Sequence, residues 1–143
     1  RAFERHAVVS GGGHNHRYSL SDAVMAKDNH LAVLTRSGLS VTEALRSAID
    51  KLPHTTHVEV EVDRLDQIEP ALAARIGTLM LDNFSLEQMR DAVVHTAGRA
   101  ALEASGGVNK TTLRAIAETG VDYISLGTLT KDIKAIDLSM RLI

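Results

Sequence analysis

The stretch HVEVEVDRLDQIEPALAARIGTLMLD, residues 57–82, decides the fold class. It opens with the run HVEVEV, continues through a segment with weak helical spacing of apolar residues, and ends in the apolar run TLMLD. Such a succession is typical of a βα repeat, because parallel strands require a crossover that is usually a helix. Residues 57–82 therefore predict a parallel sheet covered by helices.

The same repeat continues on both sides of this stretch. Apolar runs lie at 23–27, 101–105 and 122–127, and from residue 57 onward strand follows strand at about 20 to 23 residues, as in βα folds. The last run, IDLSMRL at 136–142, alternates with a period of two and predicts an edge strand. Six strands predict an open sheet, a reduced βα barrel or a fragment of a barrel, since eight close an ordinary barrel.

Helices are predicted between the strands. The clearest covers 40–52, where apolar residues recur with helical spacing after the candidate N-cap Ser40. Another begins at Ser85, whose Ser-x-x-Gln pattern is typical of a capping box. Weaker helical patterns lie at 66–76 and 110–119.

The composition is that of one globular domain. Of the 143 residues 44% are hydrophobic and 24% charged, the net charge is −2, and aromatic residues make up 3%. These values exclude a base-stacking platform, a basic footprint for nucleic acid and a polybasic membrane patch. With no cysteine and no apolar run of about 18 residues, we expect a cytoplasmic chain that acts on a small molecule or a protein.

A polar or small residue closes each of the first five predicted strands. In parallel βα folds the functional groups collect at the carboxyl ends of the strands, where the loops leave the scaffold. We therefore interpret the strand ends as one candidate site, formed by Lys27, Glu61, Asp82, Ser105 and Gly127.

Two glycine-rich segments predict anion sites. GGGHNHR at 11–17 combines a permissive backbone with two imidazoles and a guanidinium. SGGVN at 105–109 places glycine N–H groups before a predicted helix, and Gly127 in the next strand's loop would complete a phosphate site.

Charge is distributed unevenly along the chain. Residues 1–36 carry five Lys/Arg and three Asp/Glu, whereas 57–91 carry three and eight. Glu59 and Glu61 share one strand face, Asp82 follows on the next strand, and buried carboxylates need a cation or a hydrogen-bonding ligand. This pattern predicts Mg²⁺ held through a phosphorylated ligand. A surface or strand-edge position is predicted for His54, His57 and His95.

Several motifs together resemble the quinolinate phosphoribosyltransferase family. They are GGGHNHR at 11–17, KDNH at 27–30, EVEV at 59–62, LDNFSLEQM at 81–89, EASGGV at 103–108 and AETGVDYISLGTLTKDIKAIDLSMR at 117–141. The resemblance implies a type II phosphoribosyltransferase barrel of about six strands over residues 1–143, without the family's N-terminal α/β domain and Thr-Arg-Lys-Thr segment. It also implies that these 143 residues by themselves are inactive or nearly so.

The implied activity is that of a glycosyltransferase in NAD biosynthesis. A phosphoribosyl group passes from phosphoribosyl pyrophosphate to quinolinate with decarboxylation, which gives nicotinate mononucleotide, CO₂ and pyrophosphate. Mg²⁺ would accompany phosphoribosyl pyrophosphate, and no organic cofactor would be needed. The resemblance further implies a homodimer or higher homo-oligomer, and from the composition we expect no nucleic-acid or membrane partner.

The resemblance also assigns roles to individual residues. His16, Arg17 and Lys27 would bind the quinolinate carboxylates. Lys27, Glu61 and Asp82 would be catalytic, and the two acids would bind the ribosyl group and, indirectly, the Mg²⁺ of pyrophosphate. The 5′-phosphate would be held by Ser105, Gly106, Gly107, Ser125, Leu126 and Gly127.

Alternative functions stay open. One is a truncated, non-catalytic homologue that serves as a structural or regulatory partner. Another is a barrel metallohydrolase, suggested by His14-x-His16, although its later strand ends lack the imidazoles that suit transition metals. A relative associated with molybdenum transport shares the barrel, but NHR and KDNH fit the quinolinate family better.

Overall fold

The computed structural model describes residues 2–141 and contains one sheet of five parallel strands. The strands lie side by side in sequence order, and each is hydrogen-bonded to the next. This arrangement confirms the predicted parallel βα organisation. The strands are β1 (Ala23–Ala26), β2 (His57–Val62), β3 (Thr78–Asp82), β4 (Ala101–Ser105) and β5 (Tyr123–Ile124).

Helices connect the strands, and the two clearest start where the sequence predicts. Ser40 and Ser85 each accept a hydrogen bond from the backbone N–H three residues on, and the side chain at that position bonds back to the cap. Such caps stabilise a helix by about 1 kcal/mol each. The helices are α1 (Ala2–Ser10), α2 (Asp28–Leu34), α3 (Val41–Ile49), α4 (Ile68–Ala73), α5 (Leu86–Thr96), α6 (Leu113–Ala117) and α7 (Thr128–Lys131), with 3₁₀ turns at Thr35–Ser37 and Leu65–Gln67.

The two faces of the sheet differ in character because side chains alternate along each strand. One face packs against the helices and is aliphatic, as the low aromatic content predicts; its larger buried side chains are Val60, Val62, Leu79, Leu81 and Leu102. Each such side chain contributes about 1.5–3 kcal/mol by leaving water. The opposite face is largely polar and carries Glu59, Glu61, Thr78, Asp82 and Glu103.

The sheet is open, with β1 and β5 at its edges. The predicted sixth strand is wrong for residues 136–141, which form neither strand nor helix; Leu142 lies outside the described residues. Ile136, Leu138 and Met140 are 80–91% exposed. Alternation indicates which side of a strand can be buried, but a strand also needs a partner edge, and within residues 2–141 none pairs with this segment.

The weaker helical predictions also need correction. The pattern at 66–76 is divided between the 3₁₀ turn and α4, where Pro70 lies in the first turn, the position that proline tolerates. The pattern at 110–119 shortens to α6, because the Asn109 side chain accepts from the N–H groups of Thr111 and Thr112 and closes a turn first. Of the helices in residues 2–141, none has the length and apolar character that a membrane span requires.

Candidate active site

The polar face of the sheet forms the floor of an open trough. All five predicted strand-end residues line it, together with residues 13–17 from the loop between α1 and β1. Hydrogen bonds hold this loop in place: Asn15 Nδ2 donates to the Arg5 carbonyl at 3.2 Å and Arg17 Nη1 to the Ala23 carbonyl at 3.3 Å. The structure therefore brings the cationic loop and the acidic strands to one surface.

His16 meets two buried acids on this surface. Its Nε2 lies 2.8 Å from Oε2 of Glu59 and 3.6 Å from Oε1 of Glu103. Glu59 and Glu103 are only 4% and 7% exposed, and the Ser125 hydroxyl donates to Glu103. The other Glu59 oxygen, Oε1, is buried with no hydrogen-bond partner among residues 2–141.

Glu103 is a site residue that the sequence analysis missed. Residues two apart in a strand share a face, so Glu103 lies on the same face of β4 as Ser105, which the analysis named. The register places Glu103 level with Met80 of β3 and Glu59 level with Thr78. The alternation in EASGGV is enough to place Glu103 on the same face as Ser105. The contact between Glu103 and His16 depends on the path of the α1–β1 loop, which the sequence pattern does not predict.

The acids change the protonation of His16, and Glu59 changes that of Glu103. The hydrogen bond to Glu59 raises the pKa of His16; partial burial and Arg17 oppose this shift, and the charges of Glu59 and Glu103 support it. Burial raises the pKa of Glu103; the hydrogen bond from Ser125 opposes that shift, and neighbouring Glu59 adds to it. The cluster therefore retains protons that exposed groups of the same kind would lose.

Lys27 and Glu61, both predicted site residues, bind each other. The Lys27 ammonium forms an ion pair with Oε2 of Glu61, and their side chains are 48% and 14% exposed. Because the Lys27 ammonium is about half exposed, an anionic ligand can reach it and compete with Glu61 for it. The Lys27 backbone N–H donates to Nδ1 of His30 at 3.0 Å and so fixes the start of α2.

Asp82 and Gly106 meet at Asn83. Oδ2 of Asp82 accepts from Nδ2 of Asn83 at 2.8 Å, and the Asn83 N–H donates to the Ser105 carbonyl at 3.0 Å. Gly106 has φ +85°, and a Cβ on it would lie 2.2 Å from Oδ1 and 2.8 Å from N of Asn83. Only glycine allows the β3 and β4 loops to approach this closely.

Backbone N–H groups lie at the carboxyl ends of β4 and β5. Among residues 2–141, those of Gly106, Gly107, Leu126 and Gly127 donate no hydrogen bond. Lys131, which the sequence analysis missed, lies nearby: its Nζ is 3.7 Å from the position of a Cβ on Gly127. The helix predicted to follow SGGVN directly starts only at Leu113, so its N-terminus does not adjoin the glycines.

Glu61 and Asp82 are the pair of side chains in the trough that suits Mg²⁺. Both offer carboxylate oxygens, which Mg²⁺ prefers. His16, Glu59 and Glu103 place ligand atoms within 4.8 Å of one another, but this set contains a single imidazole, so the metallohydrolase alternative finds no histidine cluster in the described residues.

The three histidines predicted outside the site lie at the surface or a strand end. His54 is exposed in a loop, and His57 is the exposed first residue of β2. Nε2 of His95 on α5 is 3.2 Å from Oε2 of Glu69 on α4. Their positions match the prediction, although His57 also borders the trough.

Fold and site together define a class. The chain is a parallel βα protein of the kind that builds βα-barrel enzymes, with cationic, acidic and backbone N–H groups at the carboxyl ends of its strands. A family model described as quinolinate phosphoribosyl transferase, C-terminal domain, matches residues 1–141. The chain belongs to this family.

Curated relatives agree with the family assignment. A probable nicotinate-nucleotide pyrophosphorylase (carboxylating) of Bacillus subtilis is 40% identical over 140 residues, covering 98% of this chain and 47% of the relative. The nicotinate-nucleotide pyrophosphorylase (carboxylating) of Mycobacterium leprae is 39% identical over 145 residues, covering 99% and 49%. The chain spans about half the length of these relatives.

Solved structures give the same result. NadC from Streptococcus pyogenes has a TM-score of 0.89 at 45% identity, over 98% of this chain and 48% of that one. The nicotinate-nucleotide pyrophosphorylase from Francisella tularensis has a TM-score of 0.83 at 47% identity, over 93% and 46%. Thiamine phosphate pyrophosphorylase from Pyrococcus furiosus, at 21% identity and a TM-score of 0.55 over 73% of this chain and 48% of that one, shares the fold alone.

Proposed function

We propose that this chain forms the barrel part of an enzyme that transfers a phosphoribosyl group from phosphoribosyl pyrophosphate to quinolinate, with decarboxylation. The observation that carries the proposal is the order of groups along one edge of the sheet. Cations lie by β1, and the carboxylates of Glu61 and Asp82 lie at the ends of β2 and β3. Beyond β4 and β5 lie backbone N–H groups that donate no hydrogen bond within residues 2–141. The cations suit a dicarboxylate, the carboxylates suit a ribosyl cation and the Mg²⁺ of pyrophosphate, and the N–H groups suit a phosphate.

His16, Arg17 and Lys27 bind the two carboxylates of quinolinate in this proposal. A charge-assisted hydrogen bond of this kind is worth roughly 1.5–3 kcal/mol. The bond from Arg17 to the Ala23 carbonyl fixes the guanidinium at the edge of β1. Lys27 reaches the ligand by exchanging or sharing its bond to Glu61.

Glu61 and Asp82 act on the ribosyl centre. The pyridine nitrogen forms a bond to ribose C1 while the bond from C1 to pyrophosphate breaks and its electron pair leaves with pyrophosphate. Positive charge then develops on the ribosyl group, and fixed carboxylates stabilise it, as they do in glycosidases. When bound through pyrophosphate and these acids, Mg²⁺ would neutralise the leaving group's charge.

Decarboxylation follows from the product of the transfer. The ribosylated ring nitrogen is cationic, so it accepts the electron pair that remains when the carboxyl group next to it departs as CO₂. A proton then replaces that carboxyl group on the ring carbon and gives nicotinate mononucleotide. This step requires no organic cofactor, since the pyridinium itself is the electron sink.

The 5′-phosphate is bound at the ends of β4 and β5. Ser105 precedes Gly106 and Gly107, whose positive φ values of +85° and +63° place successive N–H groups in a turn. Together with the N–H groups of Leu126 and Gly127, they offer donors to phosphate oxygens. The Ser125 hydroxyl already donates to Glu103. In this proposal Ser125 therefore helps to place the loop that carries Leu126 and Gly127.

The test is synthesis of nicotinate mononucleotide from quinolinate and phosphoribosyl pyrophosphate with Mg²⁺. The chain is assayed after fusion to the remaining half of a curated relative, with Asp82→Asn as the matched inactive variant. Product formation that depends on Asp82 supports the proposal. A well-folded fusion that binds neither substrate contradicts it and favours the non-catalytic homologue.

Two further proposals concern the assembly and the location of the protein. Sedimentation velocity tests the proposal of a homodimer or higher homo-oligomer, and cell fractionation tests that of a cytoplasmic location.

A further inference from the structure

The two ring nitrogens of His16 have different surroundings. Nε2 faces the buried acids, 2.8 Å from Glu59 and 3.6 Å from Glu103, whereas the side chain keeps 32% of its surface exposed in the trough. An imidazole nitrogen that donates a hydrogen bond must carry a proton. Donation to Glu59 therefore requires a proton on Nε2, and binding of an anion through the other nitrogen requires one on Nδ1.

Buried charge makes this doubly protonated form favourable. Two neighbouring buried carboxylates are costly unless a cation or a proton compensates them. Three charged groups act on His16: Glu59 from β2, Glu103 from β4 and Arg17 from the same loop, and only Arg17 opposes protonation. Because Oε1 of Glu59 has no hydrogen-bond partner within residues 2–141, the imidazole is the main compensation for that carboxylate.

We propose that Glu59 and Glu103 are positioning residues: they orient His16 through its Nε2–H and keep the ring doubly protonated, so that Nδ1–H presents positive charge to a ligand carboxylate. Glu59 makes the close contact, and Glu103 acts at longer range, itself held by Ser125. The inference rests on the proposed function only for the identity of the ligand. The protonation of His16 is a property of the ligand-free chain and can be measured there. Neither acid touches the reacting atoms in this scheme.

The first experiment measures the protonation of His16 directly. Two-dimensional ¹H–¹⁵N spectra of the imidazoles are recorded against pH in the ligand-free chain and in the urea-unfolded chain. We expect the pKa of His16 to be higher in the folded chain. Glu59→Gln should lower it strongly and Glu103→Gln less, while Glu69→Gln, which removes the partner of His95 at the surface, should leave it unchanged.

The second experiment follows, by calorimetry, the quinolinate affinity of the chain fused to a relative's remaining half as a function of pH. Above the pKa of His16 the affinity should fall by up to about tenfold per pH unit, since the cationic form binds the anion. In Glu59→Gln the fall should begin at lower pH, and His16→Asn should remove this dependence. Backbone spectra of each variant establish that it is folded, and Glu103→Gln provides a second variant.

The outcomes separate the inference from the proposed function. If the wild-type His16 titrates no higher than in the unfolded chain, or if neither acid variant lowers its pKa, the positioning role is overturned even when quinolinate binds. If His16 titrates as expected but quinolinate binds at no pH, the proposed function fails and the proton assignment stands. Tight stoichiometric binding of Zn²⁺ that abolishes the Nε2–H signal would also overturn the inference by making the cluster a metal site.

Discussion

Gly106 is constrained by a neighbouring loop rather than by its own turn alone. We expect Gly106→Val to destabilise the chain by about 2 kcal/mol or more, because its φ of +85° is strained for valine and the new Cβ would overlap Asn83. Binding of phosphoribosyl pyrophosphate should fall with it. Urea unfolding and calorimetry measure the two effects.

Gly107 provides the matched control for this substitution. Its φ of +63° is also strained for a side chain, but nothing lies within 4 Å of the position of an added Cβ. Gly107→Val should therefore lower the free energy of unfolding only by the backbone strain, on the order of 1 kcal/mol. Equal loss of stability in the two variants would show that the contact with Asn83 is unimportant.

Asp82 tests the proposed electrostatic role with little change in shape. Asp82→Asn should lower turnover of the completed enzyme by about 100-fold, as removal of one stabilising group commonly does. An amide oxygen can still accept from Nδ2 of Asn83, so the melting temperature should change little. Steady-state kinetics and thermal melts measure both, with the exposed Asp63→Asn as the control that should alter neither.

Lys27 and Arg17 test the proposed dicarboxylate subsite. Lys27→Ala should weaken quinolinate binding by about tenfold or more, the scale of a lost charge-assisted hydrogen bond. Loss of the ion pair with the mostly buried Glu61 should also lower the free energy of unfolding, by about 1 kcal/mol. Arg17→Ala should weaken quinolinate too, with a small added effect on the loop that its bond to Ala23 anchors. Unchanged quinolinate affinity in isothermal titration would remove either residue from the site.

At the scale of elements, contact between the α1–β1 loop and strands β2 and β4 makes stability depend on pH. His16 has a raised pKa, so its contribution is complete below the unfolded value and is lost as pH rises through the folded value. The raised pKa of Glu103 acts in the same direction, since the folded chain again holds a proton longer than the unfolded chain. The free energy of unfolding should therefore fall between about pH 6 and pH 8.

Urea unfolding across this range measures the effect. His16→Asn should flatten the slope, because it removes the imidazole whose pKa is raised by folding. The exposed acids whose pKa values are lowered, Asp22, Glu43, Asp66 and Glu69, contribute stability that is lost on acidification, so they act below this window. Stability that rises from pH 6 to pH 8 in the wild type would contradict the assignment.

Local patterns predict the elements whose cause is local. Ser40 with Glu43, and Ser85 with Gln88, form capping boxes within four residues, so the starts of α3 and α5 can be read from the sequence. Helices α2, α6 and α7 have seven, five and four residues, too few to display a helical period. The alternation at 136–141 carried no information about a pairing partner, which explains the wrong sixth strand.

The candidate site likewise contains groups whose proximity follows from the sequence pattern and contacts that depend on the loops. Strand ends in a parallel sheet meet at one edge, so Lys27, Glu61 and Asp82 could be placed together from their positions in the repeat. The contact of His16 with Glu103 could not, since it joins a loop to a strand nearly ninety residues away. The proximity of Lys131 to Gly127 likewise depends on the turn into α7, which the sequence pattern does not predict.

At the scale of the whole molecule, charge in the trough opposes tight binding of anionic substrates. Five acids line it: Glu59, Glu61, Asp82, Glu103 and Asp122. Of the proposed substrate-binding cations, His16 already contacts Glu59 and Lys27 pairs with Glu61. Quinolinate and phosphoribosyl pyrophosphate both carry several negative charges, so they require more positive charge than these pairs leave available.

The 143 residues by themselves should therefore bind both substrates weakly and form little or no nicotinate mononucleotide. The open trough adds to this, because water in the site screens the charges that would act on the ribosyl group. A product assay at high enzyme concentration, compared with the fusion to a relative's remaining half, measures the difference. Turnover of the unfused chain at about 1 s⁻¹ or faster, an ordinary enzymatic rate, would show that the five-stranded sheet supplies all the charge that catalysis needs.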